Sequence, residues 1–337
     1  MKMCSRLLVV VAPVLMGFSV QPPQAPSATA KTVRAADAFL ATLSEEQRKR
    51  ELFAFDDEEQ RARWSNLPIS AVRRGGLSLG EMSPAQRKAA LALLASALSP
   101  KGYEKVMQIV ECDEALKNGA SNSPYGKDLY YFSILGTPSE TQPWMLQFGG
   151  HHLAVNVTIA GAKGIITPTL TGANPSVFTL NGKSVRPLAG ESDKAMALLN
   201  ALDEGQKKQA ILNYRIVDFV LGPGQDGKTI MPEGLKASAM NARQKALLLD
   251  VISEWAGIVH ESAAAARMAE IRTGLNETYF AWSGPTTVEP GRNISAYYRI
   301  QGPKLVIEYA PQGNLRDPSM HIHAIYRDPT NDYGRGK

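Results

Sequence analysis

Cysteine is nearly missing from this chain. Cys4 lies close to the N-terminus, and Cys112 stands alone in "IVECDEAL". A lone cysteine makes no internal disulfide, and it excludes a cysteine cage around zinc. Cys112 falls on a helix-like pattern and reads as a packed residue, so the fold must rest on its core. Long apolar runs are also lacking beyond residue 20, so nothing later in the chain has the roughly 20 apolar residues that span a bilayer. Basic clusters are absent too. The net charge of +5 comes from 37 Lys+Arg against 32 Asp+Glu, with no interleaving of aromatic and basic residues. That pattern argues against nucleic acid as a partner.

The N-terminus is different in kind. "MKMCSRLLVVVAPVLMGFSV" carries Lys2 and Arg6, then an apolar run from Leu7 to Val20, then Ala28-Thr29-Ala30. A basic start, an apolar middle and small residues at the end predict a secretory signal over 1–30, cut after Ala30. Cys4 precedes the apolar run, so it is no lipid-attachment cysteine. The expected destination is the periplasm or the extracellular space, with no membrane span after cleavage.

The full chain has 44% hydrophobic and 20% charged residues, ordinary for a globular protein, and the remainder, 31–337, is read as a single domain. Its first part, 31–120, reads as helical. "TVRAADAFLATL" places Ala36, Phe39, Leu40 and Leu43 at helical spacing. One phrase then recurs: "LSEEQR" at Leu43, "MSPAQR" at Met82, "LDEGQK" at Leu202 and "MNARQK" at Met240. In each, Ser44, Ser83, Asp203 or Asn241 is followed three residues later by glutamine, the arrangement of a capping box at a helix start. The cap side chain accepts a free N–H, and the glutamine reaches back to the cap's own N–H. Gln47 and Gln86 are 39 residues apart and Gln206 and Gln244 are 38 apart, an internal echo. A basic residue follows each glutamine, where the helix dipole does not favour one.

The period changes over 125–190 and 276–330. "DLYYFSILG", "PWMLQFGGHHLAVNVTIAG" and "GIITPTLTG" are strand-like, and Asn181-Gly182 in "VFTLNGKSVRPL" predicts a hairpin with a type I′ turn. "ISAYYRIQGPKLVIEYA" reads as a second hairpin, followed by a strand over His321–Tyr326. Helices over about Lys194–Tyr214 and Ala239–Arg272 fall in an insertion, 191–275, between the two β segments. The predicted class is α+β, an antiparallel sheet with a helical N-terminal segment and helices inserted between two β segments.

Two motifs carry less than they suggest. "GPGQDGKT", Gly222 to Thr229, matches a phosphate-binding loop, but Pro232 and Gly234 break the chain where a helix must begin. Asn156, Asn276 and Asn293 each head an N-x-[ST] sequon, a glycosylation acceptor in a secreted eukaryotic protein.

Four of the five histidines form two pairs, His151-His152 and His321-x-His323. On a strand, His321 and His323 project to one face, a chelating geometry. His151 and His152 diverge on a regular strand, unless Gly149 and Gly150 form a bulge that turns one ring. Neutral imidazoles suit zinc, copper, iron or nickel. All four histidines are candidate ligands for a divalent transition metal (Zn, Cu or Fe). Glu308 and Asp328 are candidate general bases. Tyr326, Arg327 and Asn156 are candidate binding residues, with Asp332 in the same C-terminal cluster.

The phrases "MLQFGGHHLAVNVT", "PTLTGANPS", "LGPGQDG…PEGL", "YYRIQGPKLVIEYA" and "HIHAIYRDPTNDYG" resemble an uncharacterised family, DUF3500, over about Ala36 to Gly334. The resemblance implies that both histidine phrases are family features; it implies no activity. The expected function is a metal-dependent enzyme, hydrolytic first, with an oxidative copper or iron enzyme as a variant. The alternatives are a non-enzymatic protein binding a metal ion or small molecule at the same pocket, and a structural or partner-binding module.

Overall fold

The computed structural model describes residues 27–117, 120, 122–312 and 316–335. Residues 1–26 of the predicted signal lie outside them. The predicted cut after Ala30 falls inside a helix: Ala30 is buried in the first turn of α1 (Ala28–Ala41), and Thr29 Oγ1 donates to the Gly161 carbonyl.

The chain runs through one series of elements twice. The first series holds α1, α2 (Glu45–Glu51), β1 (Leu52–Phe53), α3 (Glu58–Arg61), β2 (Leu77–Ser78), α4 (Pro84–Ala97) and α5 (Pro100–Lys117). Its strands follow: β3 (Tyr131–Leu135), β4 (Trp144–Gly150), β5 (Leu153–Ala160), β6 (Lys163–Ile165) and β7 (Thr169–Ala173). A detached hairpin, β8 (Phe178–Leu180) and β9 (Lys183–Val185), leads into the second series. There Asn181 and Gly182 both have positive φ, as a type I′ turn requires. The second series holds α6 (Ala189–Asn200), α7 (Glu204–Ala210), β10 (Leu235–Lys236), α8 (Ala242–Ala256), α9 (Glu261–Thr273), β11 (Tyr279–Ser283), β12 (Tyr297–Gly302), β13 (Leu305–Pro311) and β14 (Ile322–Arg327).

Backbone pairing shows that the two series are equivalent. Leu77 sits opposite Phe132, and Leu235 opposite Phe280. Leu52 pairs in parallel with Ile134, and Ile211 with Trp282. The hairpin that closes between Gly150 and Leu153 recurs between Gly302 and Leu305. Gly76 (φ 87°) and Gly234 (φ 94°) take the same left-handed turn, and a Cβ at either would strike the carbonyl of Phe132 or Phe280.

All four predicted capping boxes form, at Ser44, Ser83, Asp203 and Asn241. The capping glutamines also pair with each other. Gln86 Nε2 donates to Gln47 Oε1 at 2.8 Å, and Gln244 Nε2 donates to Gln206 Oε1 at 2.7 Å. This is the physical basis of the 39- and 38-residue echo: each pair locks two helix starts together. In the first series the basic residue after the glutamine caps a preceding helical turn, since Arg48 donates to the Leu40 carbonyl and Arg87 to that of Leu79.

The two series meet in one sheet, ordered β1-β3-β4-β5-β7-β14-β13-β12-β11-β10, with β2 on β3 and β6 on β5. Neighbours are antiparallel except β1 and β3. Alternation along β14 assigns the faces. Ile322, Ala324 and Tyr326 join the large core with the helices, which also buries Trp144, Trp255 and Trp282. Ile325 points the other way and packs with Trp64, Ala154, Leu170 and Phe219. That second face is covered by residues 54–76, irregular apart from the four-residue α3, and by irregular chain over 211–234. Gly222–Thr229 lies in the latter and starts no helix at Lys228. Two of the sequon asparagines, Asn156 and Asn293, are buried, and only Asn276 is exposed.

The glutamine pairs yield a double-mutant prediction. Gln47→Ala and Gln86→Ala are each expected to destabilise the fold, with a coupling of about 0.5–1.5 kcal/mol between them. Urea unfolding of both single variants and the double variant measures it; strict additivity would show that the pair contributes nothing as a pair.

Candidate metal centre

The stretch "FGGHHLAVN" is not one strand. β4 ends at Gly150 and β5 begins at Leu153, so His151 and His152 are the two turn residues of a hairpin. His152 has φ 61°, in the left-handed region that histidine enters more readily than most residues. This corrects the expectation of divergent rings, because strand alternation does not apply across a turn. The rings lie against each other instead, tilted by 31° with centroids 3.6 Å apart. No bulge is needed: Gly149 and Gly150 stay in register with Ala154 and Leu153.

The hairpin tip meets the start of β14. β7 pairs with β14 so that Gly172 lies opposite His323, and the empty side of Gly172 accommodates His152, whose Cβ would stand 3.2 Å from an added Cβ there. His321 Nε2 is 2.9 Å from His152 Nε2 and 3.1 Å from His323 Nε2. One ligand nitrogen from each of the three residues lies within 4.8 Å of the other two. Nitrogens bound to tetrahedral zinc at about 2.0–2.1 Å stand about 3.3 Å apart, so the observed spacing is close to chelating. Each neutral imidazole carries one N–H, so at these distances the ring nitrogens either share an N–H···N hydrogen bond or, when all three face inward unprotonated, surround a cation.

The back of the site is polar and orienting. His323 Nδ1 lies 2.9 Å from Gln312 Nε2, 3.5 Å from Asn66 Nδ2 and 3.5 Å from Asp218 Oδ1, so its Nε2 is turned toward the other rings. The amide nitrogens of Gln312 and Asn66 only donate, so Asp218 is the group that accepts the Nδ1 proton, and a carboxylate behind a ligand histidine fixes its tautomer and orientation. Asp218 itself is held in its charged form: burial opposes this, but hydrogen bonds from His323, the Phe219 amide and Gln312 outweigh burial and lower its pKa. The Phe219 ring packs 5.4 Å from that of His323. Arg74 ties the Asn66 segment to the hairpin, donating to the carbonyls of Ser65, Leu67 and Gly150. His152 N completes the contact by donating to the Asn66 carbonyl.

The other anticipated residues have different neighbours. His151 Nδ1 lies 2.6 Å from Asp113 Oδ1, and its ring stands between Tyr125 and His152, outside the triad. Glu308 accepts the amides of Val220 and Leu221 and the Tyr297 hydroxyl. Arg327 donates to the Leu221 and Gly222 carbonyls and pairs with Asp226 and Asp332. Both therefore anchor the loop that carries Asp218. Asp328 pairs with Arg267, which also meets the Tyr326 hydroxyl. Asn156 bonds Gln147 and the Pro168 carbonyl. Cys112 is buried beside the Pro175 carbonyl, and burial pushes its thiol pKa up to about 12.

Asn66, Asp113, Gly172, Asp218 and Gln312 were not legible as site residues. Four are short polar residues or glycine at turns and strand ends, without periodicity. Asp113 lies on α5, where it reads as one more helix carboxylate.

Compared with known families, residues 25–335 match the model described as "Protein of unknown function (DUF3500)". The chain belongs to this family. No match was found among curated proteins or solved structures. The family match covers both histidine phrases and the loop bearing Asp218, so the site lies wholly within the DUF3500 region.

Burial, then the neighbouring histidines, lowers the His152 pKa well below its usual value, and burial likewise lowers that of His321 to about 3. Both rings are thus neutral and open to a metal near neutral pH. In the metal-free protein the unfolded chain binds protons below about pH 6.5 while these rings do not. Stability therefore falls as pH drops from about 6.5 toward 3, by at most about 1.4 kcal/mol per pH unit for each histidine. Urea unfolding between pH 7 and 4.5 should show a shallower slope for His152→Ala; an unchanged slope would contradict this assignment. Glu308→Gln should speed hydrogen exchange at Val220 and Leu221, whose amides it would no longer receive equally well.

Proposed function

We propose that this protein is an exported transition-metal protein that holds one ion on His152, His321 and His323 and uses its open position to activate water. The observation that carries the reading is the convergence of three Nε2 atoms at near-chelating distance. Three protein ligands with a free position are the pattern of catalytic zinc, and a metal bound there lowers the pKa of its water to near neutrality. Export is supported by the basic and apolar N-terminal sequence. Zinc, copper and iron all accept imidazole.

A second reading, metal binding without catalysis, is favoured by one observation. Both carboxylates expected as general bases are engaged elsewhere: Glu308 by loop amides, Asp328 by Arg267. Asp218 lies behind His323, on the Nδ1 side.

Metal analysis of the native protein decides the shared claim. About one ion per chain is expected, falling at least tenfold in His321→Ala/His323→Ala. Equal or negligible metal in both would reject it. Ester hydrolysis by the zinc-loaded protein, lost in the same variant, separates the catalytic reading from the binding one.

A further inference from the structure

A second feature stands apart from the histidines. A cleft of about 600 Å³ opens between α2, β2, β3 and the chain preceding β2, and Lys49, Arg50, Arg73, Arg74 and Glu81 line it. Its volume is that of a small-molecule site. Four cations face one carboxylate. Arg50 takes that carboxylate, Glu81, at 2.6 Å, and Lys49 pairs with Glu45. Arg73 is exposed and makes no ion pair among the described residues. Arg74 bonds only carbonyl oxygens, its Nε is buried without a partner, and burial without a counter-ion lowers its pKa to about 10.

The repeated architecture supplies an internal control. Gly76-Leu77 and Gly234-Leu235 are equivalent, so Arg73 and Arg74 correspond to Met231 and Pro232. Gln47 and Gln206 are likewise equivalent, so Arg50 corresponds to Gln209. The second series builds the same local fold without Arg50 or Arg73, while Lys49 keeps a counterpart in Lys208 and Arg74 ties the Asn66 segment to the β4–β5 hairpin. Folding therefore does not demand Arg50 and Arg73, and their convergence with Lys49 and Arg74 calls for a ligand.

We propose that this cleft binds a small polyvalent anion bearing two or more carboxylate or phosphate groups. Guanidinium groups match either oxyanion through paired N–H donors. The site is independent of the metal reading.

The test is isothermal titration of the metal-free full chain with tricarballylate and, separately, with pyrophosphate, at low and high salt. At least one should bind, more weakly at high salt. Arg50→Gln/Arg73→Met, which installs the second series' residues, should weaken binding about tenfold or more while leaving the melting curve in place. Arg73→Ala, a change at an exposed side chain, serves if the double variant folds poorly, and should also weaken binding. Preference for tricarballylate marks a carboxylate ligand, and preference for pyrophosphate a phosphorylated one. Binding of neither anion, or equal affinity in wild type and variants, overturns the proposal.

Discussion

The pairing of β7 with β14 is the constraint on which the rest depends. It is the seam between the two series, and its register sets Gly172 against His323 and Ala173 against Ile322. A slip of one residue would turn every side chain of β14 to the other face. His321 and His323 would then enter the helical core, and Tyr326 would leave it. The seam also removes a side chain where one is needed least. Because residue 172 is glycine, the His152 ring can lie over the strand and reach partners that are 169 and 171 positions away in sequence.

The second face of the sheet explains where the charged strand residues went. Irregular chain lying on a sheet must satisfy its own backbone groups, and here buried side chains do so. Glu308 receives two loop amides, Arg327 takes two loop carbonyls, and the half-buried Arg74 takes those of Ser65 and Leu67. Glu308 and Arg327 look chemical in sequence because they are charged and lie on strands. Their position instead makes them supports that hold the Asp218 loop, as Arg74 holds the Asn66 segment, behind His323. The site is thus built from rigid strands in front and pinned loops behind.

How much was legible follows from range. Capping boxes are local, so Ser44, Ser83, Asp203 and Asn241 could be read directly, as could the Asn181-Gly182 turn. The α+β class followed from the change of period. The duplication surfaced only as two glutamine spacings, because the strands kept their backbone register while their side chains diverged: Gln147 and Asn156 in one series occupy the places of Arg299 and Glu308 in the other. The His151-His152 turn was hidden because no Asn-Gly pair marks it and apolar residues run on both sides. The meeting of the two histidine phrases was foreseeable as a condition, but Gly172 and the loop residues that complete it depend on long-range pairing.

The proposed metal centre draws three histidines from two separated segments of the chain. The most direct measurement is a crystal structure of the zinc-loaded protein with anomalous data collected at the zinc edge. This centre predicts a single strong peak about 2.0–2.1 Å from Nε2 of His152, His321 and His323. A peak elsewhere, or none at these rings with zinc in excess, would contradict it.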